Sequence, residues 1–365
     1  MKIDFANLSY QHRRYQDEIE AAMLKVARNC NFIMGEEVGE LEGHLCTFSD
    51  AKHAVTCSSG TDALLLAMMA LGIQPGDEII TTPFTFIATA ETIALLGAIP
   101  VFVDIDERTY NIDPDKIEEK ITNKTKAIMP VSLYGQPADM DSINAIAKKH
   151  NLKVIIDGAQ SFGATYKGKA EVHHCDAYTT SFFPAKPLGC YGDGGAVLTN
   201  DDALAEKMKM LRVHGQNKRY HHKHIGMGAR LDTIQAAVLN VKLKHYSDDL
   251  ALRQEVASKY SEQLATSSQE FVLPFVDDRS TSAWAQYSIR VKERDALQAR
   301  LKEAGVPTAV HYPTPLHLQE CFACLDYKEG DFPVAERVSQ EIMSLPMNPY
   351  LRDEEIAYIS NKIKI

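Results

Sequence analysis

Several things are missing from this chain, and each absence narrows the reading. No apolar run approaches the roughly 18–20 residues of a membrane-spanning helix. The opening stretch MKIDFANLSYQHRRYQDEIE has no apolar core of signal-peptide length. A soluble, cytoplasmic protein with no membrane partner is therefore expected. No basic stripe or tail is present: 39 Lys+Arg stand against 49 Asp+Glu, a formal net charge of −10, which argues against nucleic acid as a partner. A disulfide framework is also missing. The seven cysteines (Cys30, Cys46, Cys57, Cys175, Cys190, Cys321, Cys324) are an odd number scattered through 365 residues, so reduced thiols are expected. Cys321 and Cys324 form one CxxC, but no second pair completes a zinc knuckle and no βαβ pattern surrounds it, so both read as structural. The cluster His221, His222, His224 and the pair His173, His174 lack spaced carboxylate or cysteine ligands and read as polar loop, with no metal expected. Neither a Walker loop nor GxGxxG occurs, and no internal repeat or low-complexity segment is found.

What is present is globular composition, 45% hydrophobic and 24% charged, with length for a large domain and a smaller one. Helices are read at 14–29 and 36–48. A short β-prone piece (54–57) runs through Ser58, Ser59, Gly60 and Thr61 into an apolar helix ending at Gly72. Strands then alternate with helices: strands at 78–84, 99–106, 126–135, 153–163, 177–183 and 194–200, helices at 86–97, 139–150 and 201–212. That alternation predicts an α/β fold, a mainly parallel sheet covered on both faces, with ligands at the carboxyl ends of its strands. A helix over 229–246 precedes a boundary near 242–246. The long helix 249–264, FVLPFV, WAQYSIRVK, a helix at 293–305 and a strand in PTAVHYP (307–313) suggest a smaller α+β domain. The division is residues 1–242 for the large domain and 243–365 for the small one, with the N-terminal helix free to pack on the latter.

The candidate chemistry centres on TSFFPAKPLGCYGDGG (180–195). Lys186 stands there between two prolines among aromatic, apolar and glycine residues. A desolvated lysine has a lowered pKa and is a candidate amine nucleophile or Schiff-base former, although a solvated loop lysine explains the stretch alone equally well. Twenty-nine residues earlier Asp157 ends a buried strand. The strand–turn–helix at Ser59–Thr61 offers unpaired N–H groups and a positive dipole end to a phosphate, while a plain N-cap remains the simpler reading of Ser59 or Thr61. Together they suggest pyridoxal 5'-phosphate, which needs a phosphate cradle, a carboxylate opposite its pyridine nitrogen and a lysine for its aldehyde. Ser181 could add a hydroxyl to the phosphate, and Phe86 could stack on the ring.

The stretches GTDAL, PFTFIATAETI, GAIPVFVDID, AIMPVSLYGQPADMD, IIDGAQSFGA, SFFPAKPLGCYGDGGAV, RLDTIQAA and VPTAVHYPTPLH resemble the nucleotide-sugar aminotransferases of the StrS/DegT type, over essentially the whole chain. CYGDGGA, RYHH and TAVHYP are most similar to the WbpE-like branch, enzymes that aminate carbon 3 of a UDP-linked 3-oxo-N-acetylglucosaminuronic acid in O-antigen synthesis. The resemblance implies a PLP-dependent transferase of fold type I (aspartate aminotransferase-like), a homodimer with its active sites at the subunit interface. It makes Lys186 the catalytic lysine and proton shuttle, and Asp157 the partner of the pyridine nitrogen. Gln160 is assigned to the ring's phenolic oxygen, Gly60, Thr61 and Ser181 to the phosphate, and Phe86 to the stack. Arg230, His311 and Tyr312 fall in substrate-binding segments, an arginine suiting a uronate or diphosphate. The chain departs from the pattern at Gly228, where many relatives carry an asparagine that reaches the neighbouring subunit's phosphate.

The implied reaction is a ping-pong transamination in which L-glutamate, released as 2-oxoglutarate, converts the cofactor to pyridoxamine phosphate, which then aminates the keto group. A dTDP-linked 3- or 4-keto-hexose is the alternative acceptor. A non-catalytic sugar-nucleotide-binding regulator is the alternative of another class, opposed by the intact Asp157, Gln160 and Lys186. Sugar-dehydrating relatives replace the lysine by histidine, and Lys186 is present.

Overall fold

The computed structural model describes residues 3–265 and 271–364. Its centre is a seven-stranded sheet in the order His53–Cys57, Gly195–Thr199, Ala177–Ser181, Lys153–Asp157, Thr125–Ile128, Glu78–Thr81, Ile99–Phe102. From Ala177–Ser181 to Ile99–Phe102 every pairing is parallel, whereas Gly195–Thr199 runs antiparallel to both of its neighbours. Strands buried on both faces read as continuous apolar runs, and adjacent residues here enter opposite cores. Ile80, Ile128, Ile156, Tyr178 and Leu198 point to one face; Ile79, Ala127, Ile155, Ala177 and Val197 point to the other. The helices Glu36–Ser49, Met140–His150 and Thr233–Lys244 contribute to the first core, and Gly60–Leu71, Ala88–Leu95 and Asp202–Leu211 to the second.

Gly60–Leu71 shows why the local sequence folds as it does. Ser59 caps it by accepting from the Asp62 N–H at 3.0 Å. Its Ala/Leu/Met body is apolar almost all round, which suits a helix packed under a sheet. Gly72 ends it at φ 85°, a left-handed turn that glycine adopts without a steric penalty.

The strands are shorter than the sequence suggests. Thr125–Ile128 stops before Pro130, and Lys153–Asp157 stops at the acid. The residues beyond, read as strand to 135 and 163, form loops at the carboxyl edge of the sheet. The N-terminal helix is two, Leu8–Arg14 and Gln16–Asn29, which break at Tyr15. Gln16–Asn29 packs on Thr233–Lys244, with Tyr15 and Ile19 against Val238 and Val241. Leu8–Arg14 and the residues ahead of it reach the C-terminal layer: the Tyr10 ring lies 4.9 Å from that of Tyr350, Gln11 Nε2 donates to Asp249 Oδ2 at 3.2 Å, Ile3 enters its core, and the Phe5 carbonyl accepts from Met347 N at 3.1 Å.

The C-terminal layer has three antiparallel strands, Phe271–Val272, Tyr287–Val291 and Ile342–Leu345, packed with Tyr246–Ala265, Arg294–Glu303 and Asp353–Ile363. Helices Thr233–Lys244 and Tyr246–Ala265 break at His245. The strand read at 307–313 is not one. Pro307 and Pro313 lack N–H donors, and the segment makes a single bridge, Ala309 to Ser344; the paired strand is Ile342–Leu345. The histidine loop carries a small ribbon, Gln216–Lys218 with His221–His222. Cys321 and Cys324, read as structural, are exposed free thiols on a short turn of 3-10 helix and not buried packing residues. No helix among the described residues is long and apolar enough to cross a membrane.

Candidate active site

Loops at the carboxyl edge of the sheet enclose a cavity of about 520 Å³ lined by Ser59, Gly60, Thr61, Phe86, Asp157, Gln160, Ser181, Lys186, His311 and Tyr312. Every residue singled out from the sequence lines it except Arg230. Arg230 instead places a guanidinium N–H 3.3 Å from His214 Nε2, beside Gly228. A Cβ on Gly228 would lie 2.9 Å from the His214 ring, so that space is already taken.

At one end the helix Gly60–Leu71 begins. The first N–H groups of a helix have no intrahelical partner, and here the Ser59 hydroxyl takes only that of Asp62. The turn is pressed against the strand end beside it: a Cβ on Gly60 would lie 2.6 Å from Ser181 Cβ, and one on Gly195 2.3 Å from the Ser59 carbonyl oxygen. The hydroxyls of Thr61 and Ser181 edge the same pocket. This is a cradle for a tetrahedral anion.

At the other end Asp157 is 5% exposed. Its Oδ2 accepts from Thr89 Oγ1 at 2.6 Å, its Oδ1 accepts from Ala159 N at 3.2 Å, and Thr89 is in turn bonded to Thr85 at 3.0 Å. Three groups thus hold the carboxylate in orientation. The Thr85–Thr89 pair is not legible in the sequence, because Thr85 stands on the bend ahead of the helix Ala88–Leu95 and no helical spacing joins the two.

Gln160 is fixed by Tyr134, whose backbone N–H donates to Oε1 at 2.6 Å, and its Nε2 donates to the Tyr312 hydroxyl at 3.3 Å. Tyr134 pays for this with a left-handed backbone, φ 60°, a conformation costing on the order of 1–3 kcal/mol in a non-glycine residue. The adjacent Gly135 cannot carry a side chain, because a Cβ would meet Trp284 N at 2.7 Å. Phe86 is 55% exposed at the mouth, its ring 6.1 Å from that of Tyr312. It offers a flat apolar face to an aromatic ligand.

Lys186 sits on a loop that closes on itself. Lys186 N donates to Phe183 O at 2.8 Å and Cys190 N to Phe182 O at 2.8 Å. Helix Thr233–Lys244 holds the far side: Lys242 Nζ donates to Gly189 O at 2.7 Å, and Gln235 Oε1 accepts from Tyr191 N at 2.8 Å. The residue as a whole is partly exposed, but its amine is the desolvated part. Burial lowers its pKa below the usual lysine value, and the Asp157 charge only partly opposes this. His311 is held neutral, its pKa pushed down to about 4 by burial and by the Lys186 charge; burial raises the Tyr312 phenol.

An anion cradle, a flat face, a fixed buried carboxylate and a desolvated amine around one cavity match the parts of a phosphorylated pyridine aldehyde. The cradle is testable through glycine. Gly60→Ala must push Ser181 aside, and a loss of at least about tenfold in pyridoxal phosphate affinity, roughly 1.4 kcal/mol, is expected on titration of the apoprotein. Unchanged affinity would remove Gly60 from the cradle.

The chain is similar to known proteins along its length. The sequence profile of the DegT/DnrJ/EryC1/StrS aminotransferase family matches residues 13–364. UDP-2-acetamido-2-deoxy-3-oxo-D-glucuronate aminotransferase of Pseudomonas aeruginosa is 51% identical, covering 98% of both chains. The crystal structure of DesV from S. venezuelae superposes with a TM-score of 0.96 at 36% identity, covering 100% of this chain and 98% of that one. NtdA from Bacillus subtilis, solved with bound cofactor PMP, gives a TM-score of 0.93 at 31% identity, covering 99% of this chain and 84% of that one.

Proposed function

Because this chain belongs to the DegT/DnrJ/EryC1/StrS aminotransferase family and takes pyridoxal phosphate, we propose that it transfers an amino group from L-glutamate to carbon 3 of UDP-2-acetamido-2-deoxy-3-oxo-glucuronic acid. The observation that carries the chemistry is the shared cavity of Lys186 and Asp157 with a helix start at its far end. The sugar assignment is supported by the 51% identical Pseudomonas relative. When bound, the cofactor supplies an aldehyde that accepts amino groups and a ring that withdraws electrons from the neighbouring carbon.

The protein's residues do the rest. Lys186 would hold the aldehyde and, as a neutral amine, would take and return the proton at the substrate carbon. Its lowered pKa keeps that neutral form accessible. Asp157 keeps a proton on the pyridine nitrogen, oriented by Thr89 and Ala159 N. Gly60, Thr61 and Ser181 would hold the phosphate, Phe86 would stack on the ring, and Gln160 would meet the phenolic oxygen. His311 and Tyr312, which line the same cavity, would contact the sugar. Arg230 lies outside its own chain's cavity, and its role in binding the acidic sugar belongs to a homodimer in which each copy completes the other's site. The setting is cytoplasmic O-antigen synthesis.

Loading the pyridoxamine form and offering keto-sugars one at a time tests the reading. The UDP-linked 3-oxo-uronate should restore the visible absorption of the aldehyde form at least about tenfold faster than dTDP-linked 3- or 4-keto-hexoses. A response to the dTDP sugars alone overturns the uronate assignment.

A further inference from the structure

Behind the floor of the cavity lies a carboxyl with no part in the chemistry above. Glu171, 2% exposed, belongs to the turn Glu171–His174 between the hairpin Thr165–Ala170 and the strand Ala177–Ser181. Its Oε1 accepts a hydrogen bond from Ser132 Oγ and its Oε2 one from Ser161 Oγ. Ser161 Oγ is also 3.3 Å from the Tyr178 hydroxyl, which donates to the Gly158 carbonyl at 3.2 Å.

The two serines stand on different loops. Ser132 follows the strand Thr125–Ile128, between Val131 and Leu133; Ser161 follows the strand Lys153–Asp157, next to Gln160. Val131, Leu133, Asp157, Ala159 and Gln160 all line the cavity, so these loops are its floor. Backbone bonds tie them nearby, Ser132 N to Asp157 O at 3.0 Å and Asp157 N to Pro130 O at 2.9 Å. There is no slack: a Cβ on Gly158 would lie 2.2 Å from the Tyr178 ring.

A carboxyl is the side chain that answers two buried hydroxyl donors at once, one per oxygen. An apolar residue would leave the Ser132 hydroxyl buried without its acceptor, at about 1–3 kcal/mol, and the Ser161 hydroxyl with only the Tyr178 oxygen at 3.3 Å. Burial pushes the Glu171 carboxyl up to about 7 against the pull of both serines, and the other titratable groups near it are Asp157, Tyr178 and Cys175.

We propose that Glu171 is a positioning residue for the active site, a buried two-pronged clamp that braces the Val131–Tyr134 loop against the Asp157–Ser161 loop and so sets where the acid and the Gln160 amide meet the cofactor. The proposal rests on the pyridoxal phosphate reading for its last clause only.

Glu171→Leu and Glu171→Gln separate the clamp from mere bulk, since glutamine can accept from one serine and donate to the other. In the cofactor-free protein, amide exchange at 132–134 and 158–161 should rise about tenfold or more in Glu171→Leu and stay near wild type in Glu171→Gln. With cofactor added, Glu171→Leu should weaken affinity roughly tenfold and move the pH midpoint of the visible band, again with rescue by glutamine. If Glu171→Leu does not fold, Ser132→Ala and Ser161→Ala each remove one prong, and the expected result is the same pattern at smaller amplitude. Unchanged exchange in both loops together with an unmoved band midpoint overturns the proposal, even if thermal stability falls. A wild-type protein that binds no pyridoxal phosphate would refute the cofactor reading while the exchange result still decides the clamp.

Discussion

Lys186→Ala is expected to reduce transamination by at least about 10³-fold, since the loss of a positioned proton-transfer group alone typically costs 10²–10⁴, and to remove the visible band that the bound aldehyde gives with an amine. Among the described residues no other lysine lines the cavity. Lys242 is also buried, with its pKa lowered to about 8, but its Nζ is committed to Gly189 O at 2.7 Å and lies over the Tyr191 ring, outside the cavity. Fold damage is not expected: the loop is closed by backbone bonds from Lys186 N and Cys190 N that alanine retains. The decisive measurement is single-turnover amination followed by absorbance. A variant with more than about a tenth of wild-type turnover would end the assignment of Lys186 to proton transfer.

Asp157→Asn should be nearly as severe in rate and mild in stability. The amide oxygen can still accept from Ala159 N, while its NH2 donates to Thr89 Oγ1, whose own proton turns to Thr85 Oγ1, so each buried group keeps a partner. What disappears is the negative charge that keeps the pyridine nitrogen protonated. Removal of one preorganised electrostatic partner costs on the order of 10²–10³ in kcat, with cofactor still bound through the phosphate cradle. Asp157→Ala, which leaves the Thr89 hydroxyl without that acceptor, should add a stability loss of about 1–3 kcal/mol. If Asp157→Asn keeps a third or more of the wild-type kcat with bound cofactor confirmed by absorbance, the carboxylate is not the nitrogen's partner.

The parts of this site that the sequence discloses are those whose logic is local. Ser59–Gly60–Thr61 shows as a strand running into a small-residue turn and a helix; Asp157 shows as the polar end of an apolar run; Lys186 shows because an ammonium is out of place among prolines and aromatics. The other parts join residues far apart in the chain. Thr89 reaches Asp157 across 68 positions, and Tyr134 fixes Gln160 from another loop through a backbone conformation that its side chain does not advertise. Arg230 shows the limit from the other side: its residue type suits an anionic ligand, but only the packing reveals that it faces His214 and not its own cavity. In the C-terminal layer, β-prone Val310 and Tyr312 suggested a strand that two flanking prolines prevent, while Ile342–Leu345, which does pair, follows the helix Pro333–Glu341 with no turn to announce it.

The one reversed strand, Gly195–Thr199, has a consequence for synthesis. In register, Gly195 lies opposite Cys57 on one side and Ser181 on the other, so it joins the phosphate turn to the strand that leads into the lysine loop. These two pieces are made more than a hundred residues apart. A nascent chain that has emerged from the ribosome only as far as Lys186 holds every group needed to grip the vitamin, yet has no means of keeping them together. Capture of the cofactor must wait at least until the strand ending at Thr199 has been made, so it follows the pairing of these strands and does not seed it.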